Sequence, residues 1–193
     1  LLVIFWAVLF FSNTTDGFYN YFYSFLFGLI PLFAGMVAMF SAKAWGGLNS
    51  AIGKAVLFIG LGIFLWGCGE LIWSYYNFFV GIPAPYPSMA DMGFAPSIFF
   101  YGLGAAYLAK ATGAKFGLRN KLAKVFVVLA PIIILAFSYY ILVVVARGGV
   151  LVPPGETMLK TILDIAYPLG GFISLTVAIL ISGLSFKYLG GTY

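Results

Sequence analysis

The sequence has no histidine, a single cysteine at Cys68 and very little charge: 10 Lys and Arg against 5 Asp and Glu, 8% of 193 residues. Each shortage removes a class of chemistry. Without His, the Ser/His/Asp and Cys/His constellations are excluded, and the chain alone offers no imidazole to haem or zinc. One Cys makes neither an internal disulfide nor a paired-thiolate metal site. No Gly-rich loop followed by Lys is there to cradle phosphates. We therefore expect no metal, no cofactor and no enzymatic activity: acid–base groups are few, and no nucleophile–base pair is visible.

What is abundant is apolar. The chain is 63% hydrophobic and 20% aromatic, with a mean hydropathy of +1.08, whereas soluble domains are roughly a quarter charged. The composition is that of a multi-pass membrane protein. A helix needs roughly 20 apolar residues to cross about 30 Å of hydrocarbon. Six stretches qualify or nearly qualify: Leu1 to Phe11, Phe18 to Phe40, Ala55 to Val80, Gly93 to Ala109, Val125 to Ala146 and Met158 to Phe186. The first is short and lacks an initiator Met, so it reads as the end of a longer helix. Nothing alternates polar with apolar at period two, which argues against a barrel. The expected architecture is an all-α transmembrane bundle of about six helices, one integral membrane domain over residues 1–193.

The net charge of +5 is not a nucleic-acid surface, because the positive residues sort by loop. Lys43 and Lys54 flank the second loop; Lys110, Lys115, Arg119, Lys121 and Lys124 crowd the fourth; Lys187 follows the last span. Against these the other loops hold Asp16, Asp91, Arg147, Glu156 and Lys160. That asymmetry predicts cytoplasmic even loops and a cytoplasmic C-terminus in a cell membrane, with loops one, three and five outside. The basic fourth loop would also favour anionic lipid. Asn13-Thr14-Thr15 matches a glycosylation acceptor in an outside loop, a short pattern that is common by chance.

Glu70 stands alone in an apolar run from Ala55 to Val80 that has no other charged residue. An ionisable group at bilayer depth is a functional-site candidate. On the same helix Gly53, Gly60, Gly67 and Ser74 recur every seven residues, a small-residue seam that lets a neighbouring backbone approach. Glu70 lies three residues past Gly67, nearly on that face, so it points into the bundle. It sits about 15 Å from the outer end of its helix, and Asp164 about 10 Å from the outer end of the last one. Asp91 starts the fourth helix. Three of the five acids thus gather in the outer half with Trp73, Tyr75, Tyr76, Asn77, Tyr101 and Tyr167. We expect Glu70, Trp73, Tyr76, Asp91, Tyr101, Asp164 and Tyr167 to line a pocket for a small cationic or hydrogen-bond-donating ligand.

Local roles compete for the same residues. Ser88 and Asp91 have capping-box spacing, and Glu156, Lys160 and Asp164 are spaced for an ion chain along one helix face. Glu70 has no basic neighbour and suits a hydrogen bond to a Tyr of another helix. Pro31, inside the second helix, should kink it. Asp91-Met-Gly-Phe94-Ala-Pro96 and Asp164-Ile-Ala-Tyr167-Pro168 echo one another, so the third–fourth and fifth–sixth helix pairs read as a duplicated hairpin.

The strings Gly69-Glu70-Leu-Ile-Trp73-Ser-Tyr75-Tyr76, Pro85-Tyr-Pro87-Ser88-Met-Ala90-Asp91 and Leu163-Asp164-Ile-Ala-Tyr167-Pro168-Leu-Gly170 resemble the amino-terminal multi-helix membrane regions of some bacterial and archaeal sensor histidine kinases and diguanylate cyclases. The resemblance covers about residues 55–190. It implies a sensory module with a cytoplasmic catalytic module following the last helix. Two departures stand out: no PAS, kinase or cyclase segment is present, and Gly171 stands where a second acid is expected. The expected function is a receptor-like membrane module that senses a ligand or membrane state at the outer pocket and shifts helices along the Gly53–Ser74 seam. Its partners are membrane lipid and a second copy or other membrane subunits. The alternatives are a non-catalytic subunit of a larger membrane complex and a small transporter with Glu70 as its proton site.

Overall fold

In hydrocarbon every backbone N–H and C=O must be satisfied within its own segment, so long apolar runs become helices. The computed structural model describes residues 1–14, 17–112 and 121–189, and these contain helix and connections with no strand. The helices are α1 (Leu2–Phe11), α2 (Phe18–Ser41), α3 (Ala51–Tyr75), α4 (Asp91–Ala111), α5 (Lys121–Tyr139) and α6 (Met158–Leu189). Among the described residues, four segments are long and apolar enough to cross a membrane: Phe18–Trp45, Ala51–Val80, Asp91–Ala111 and Met158–Ala178. Asp16, Lys115 and Arg119, and Thr15 of the acceptor pattern, lie outside the described residues, as do the side chains of Lys121, Lys124 and Lys187.

The boundaries move for local reasons. α3 starts at Ala51, ahead of the expected Ala55, because the Ser50 hydroxyl caps it by accepting the Gly53 N–H at 2.9 Å. α4 starts at Asp91, whose carboxylate accepts the Ser88 N–H at 2.6 Å while the Ser88 hydroxyl accepts the Ala90 N–H at 3.2 Å. One half of the expected capping box is formed, the Asp91 carboxylate on the Ser88 N–H, while the Ser88 hydroxyl takes the Ala90 N–H instead of that of Asp91. α2 stays helical through Pro31.

Side by side, the helices run α1, α2, α3, α4, α6, α5. α3 is at the centre and has two small-residue faces. Toward α2, Gly60 and Gly67 meet Gly35, Ala38 and Leu32; a Cβ on Gly67 would lie 2.7 Å from the Leu32 Cα. Toward α4, Ala55, Gly62 and Gly69 form a second seven-residue seam: Gly93 abuts Gly69, while the rings of Tyr101 and Phe94 cover Gly62 and Gly69. Gly53, expected in the helix seam, packs instead on the Gly47 backbone of the α2–α3 connection.

The fully buried apolar residues are few and mostly modest, among them Ala42, Ala55, Ala90 and Val143, while Phe33, Phe40, Phe99, Ile132 and Phe137 face outward. That is the distribution a lipid solvent favours: small residues where helices touch, large apolar ones against acyl chains.

Both α3 and α5 end in a wide π-helical turn, Tyr76–Val80 and Tyr140–Val145. Each begins at the second Tyr of a Ser-Tyr-Tyr string, with Ser74 and Ser138 both buried. Each leads through a Pro-containing segment into α4 or α6. The two hairpins differ in register, since Asp91 opens α4 whereas Asp164 lies inside α6.

Candidate functional site

The π turn at the end of α3 and the 81–90 segment carry the chain across the top of the bundle. Gly81, at φ 70°, lets the backbone turn where a side chain would be strained. The segment lays Ala84, Pro85 and Tyr86 over the gap between α3, α4 and α6. Beneath it is a cavity of about 360 Å³, lined by Trp66, Glu70, Trp73, Ala84, Pro85, Tyr86, Ser88, Ala90, Asp91, Phe94 and Tyr167.

α3 supplies Trp66, Glu70 and Trp73, an i, i+4, i+7 ridge that lies on one helix face. Glu70 is buried, 8% exposed, because α2 comes close behind it: a Cβ on Gly28 would sit 2.7 Å from the Glu70 Cβ. The Trp66 side chain lies beside Glu70, one turn earlier on its own helix, and the expected hydrogen bond to a Tyr of another helix is not found among the described residues. The Trp66 ring meets Phe94 edge-on at 5.0 Å between centroids.

Asp91 combines two roles. One oxygen accepts the Ser88 N–H of the cap, and the other accepts the hydroxyl of Tyr167 from α6. Across the rim the Tyr86 phenol lies near Asp164. Burial pushes the Tyr86 phenol above its ordinary range, the neighbouring Asp164 and the charge of Asp91 add to this, and Arg147 pulls it back.

Asp164 belongs to an ion cluster at the rim. Arg147 bridges to Asp164 directly and to Glu156 at 3.6 Å; Lys160 bridges to Glu156 directly and to Asp164 at 3.7 Å. Arg147 also donates to the Leu151 carbonyl at 2.9 Å, closing its own loop. The ion chain along α6 was legible from spacing; its fourth member, from the preceding loop, was not.

The cavity thus gathers Glu70, Trp73, Asp91 and Tyr167, with Asp164 at the rim near Tyr86. Tyr76 and Tyr101 are not among its lining residues. Tyr76 sits in the π turn beside Tyr75, and Tyr101 lies two turns deeper along α4, against Gly62. Sequence reasoning passed over Trp66, Tyr86, Phe94 and Arg147. Trp66 and Phe94 had a usable signal, since each lies one helical step from a chosen acid.

Chemically, the site offers two carboxylates and the faces or edges of five aromatic residues, with no Lys or Arg in its lining. Among the described residues neither Glu70 nor Asp91 has an ion-pair partner, and no group of three metal-ligating side chains occurs. No protein-family model, curated protein or solved structure matches this chain.

Proposed function

We propose that the protein is a receptor-like membrane sensory module whose cavity under the 81–90 segment binds a small cationic or hydrogen-bond-donating ligand on the outer side of a cell membrane. One observation carries the reading: a cavity of binding-site size in which two uncompensated carboxylates face aromatic walls. Aromatic faces attract cations, more strongly when desolvated. Ligand occupancy bears on signalling because α4 is meshed with α3 through glycine, whereas at this end α6 is fastened to the start of α4 through the Tyr167–Asp91 hydrogen bond. A ligand that competes for Asp91 shifts α6 relative to the α3–α4 pair, provided it binds the two arrangements unequally. The resemblance to membrane regions of sensor kinases and cyclases supports this use.

Benzylamine titrated into the protein in lipid nanodiscs should change tryptophan fluorescence saturably. Glu70→Gln or Asp91→Asn should weaken it about tenfold, the equivalent of 1.4 kcal/mol. Spin labels at positions 54 and 178 should report a changed distance on binding. Binding without any such change would leave a binding protein and remove the sensory role.

A further inference from the structure

Apart from the acid–aromatic cavity, a second hollow of about 430 Å³ lies between α4 and α6, lined by Ile98, Phe99, Gly102, Leu103 and Ala106 of α4 and by Gly170, Ile173 and Ser174 of α6. Phe94, Ile98 and Gly102 follow one another at i, i+4 and i+8, and Tyr167, Gly170 and Ser174 at i, i+3 and i+7. Each ridge therefore runs from the cavity straight into the groove. Ile98 rests on Gly170 between them. Missing side chains make the hollow: a Cβ on Gly102 would meet nothing within 4 Å. Gly102 lies about 12 Å along α4 from Phe94, within the apolar span Asp91–Ala111.

The two hollows differ sharply in chemistry. The upper one is acidic and aromatic; the lower one is apolar apart from Ser174. We propose that together they form one site for a single-chain amphiphile, with its ammonium head between Glu70 and Asp91 and its alkyl chain along the α4–α6 groove. The inference rests on the ligand-binding reading above and adds the ligand's class and its route, which is the bilayer leaflet at that end of the bundle. A cation is favoured because the nearby positive charges, Arg147 and Lys160, are already engaged by Glu156 and Asp164. A head that also carries phosphate is disfavoured, since its anion would face the same two carboxylates. In lipid the chain gains little from leaving water, so its contribution is closer packing along the groove than a free acyl chain achieves there.

The test compares decylamine, decanol and benzylamine in nanodiscs of zwitterionic lipid, each expressed as mole fraction in the bilayer and read by saturable tryptophan fluorescence. Decylamine should half-saturate at least tenfold below decanol. Gly102→Leu, whose Cβ would meet nothing within 4 Å and whose side chain enters the groove, should raise the decylamine value at least tenfold and leave benzylamine unchanged. Ala106→Leu, one turn deeper, provides the same test on an independent variant. Equal values for decylamine and decanol would overturn the cationic head. Decylamine binding unaffected by both groove variants, with benzylamine still bound, would overturn the groove and spare the cavity. No saturable binding of benzylamine or decylamine would overturn both proposals.

Discussion

At the scale of residues, the site depends on how a few polar groups are shared. The Tyr86 phenol is held above its ordinary value by burial first and by Asp164 second, so its protonated form is favoured in the folded protein. That contribution is full below the ordinary tyrosine range and is lost only as pH rises through the raised value. Alkaline titration followed by tyrosinate absorbance should therefore show that the signal lost in Tyr86→Phe lies above the ordinary range; a loss near pH 10 would contradict the Tyr86–Asp164 proximity. Arg147 serves Asp164, Glu156 and the Leu151 carbonyl while only 11% of its side chain is exposed. Arg147→Ala leaves those acids with Lys160 as their one remaining cation among the described residues and should cost about 1–3 kcal/mol, between the values of exposed and buried pairs, as measured by reversible unfolding in mixed micelles. Asp91 shows how far sequence reaches. Its cap was legible because Ser88 is three residues away; its bond to Tyr167 was not, because that partner is 76 residues on and chain spacing carries no trace of it. Tyr101 was misplaced by a coarse measure, since closeness to the same end of the bundle does not decide on which side of α4 a ring falls.

At the scale of elements, α3 is built to be approached from two sides. One seven-residue seam was readable as Gly53, Gly60, Gly67 and Ser74, of which Gly53 packs on the α2–α3 connection instead; the second, Ala55, Gly62 and Gly69, has the same period and faces α4. The difference between meshed and open glycines gives a sharp expectation. Gly67→Ala forces a Cβ into the Leu32 backbone and should destabilise the bundle by about 1–3 kcal/mol through overpacking. Gly102→Ala meets nothing within 4 Å and should be neutral or stabilising by up to about 1 kcal/mol from helix propensity. Thermal unfolding of the two variants side by side checks this, and an equal loss in both would contradict the packing described. The helices themselves were legible because hydrocarbon leaves the backbone little alternative. Their ends were less so, because caps and π turns depend on one or two hydrogen bonds that hydropathy does not register.

At the scale of the whole molecule, the bundle has a charged, aromatic end and a lysine end. Lys54, at the latter, lies over the Tyr107 ring at 5.4 Å; Asp91, Arg147, Glu156, Lys160 and Asp164 are at the former. If the positive residues set orientation, the cavity opens away from the cytoplasm. Cysteines placed singly at exposed Val150 and Leu48 in a Cys68→Ala background should react with a membrane-impermeant maleimide from opposite sides, Val150 from outside; labelling of Leu48 from outside would invert the topology. The central claim is that the space among Glu70, Asp91, Tyr86 and Tyr167 is a binding site. The most direct test is a high-resolution density map of the protein in lipid with decylamine present. The account predicts ordered non-protein density with its polar end within hydrogen-bonding distance of Glu70 or Asp91 and its tail toward Gly102. A closed cavity, with Trp66 and Trp73 filling the space and each carboxylate paired only to protein, would contradict it.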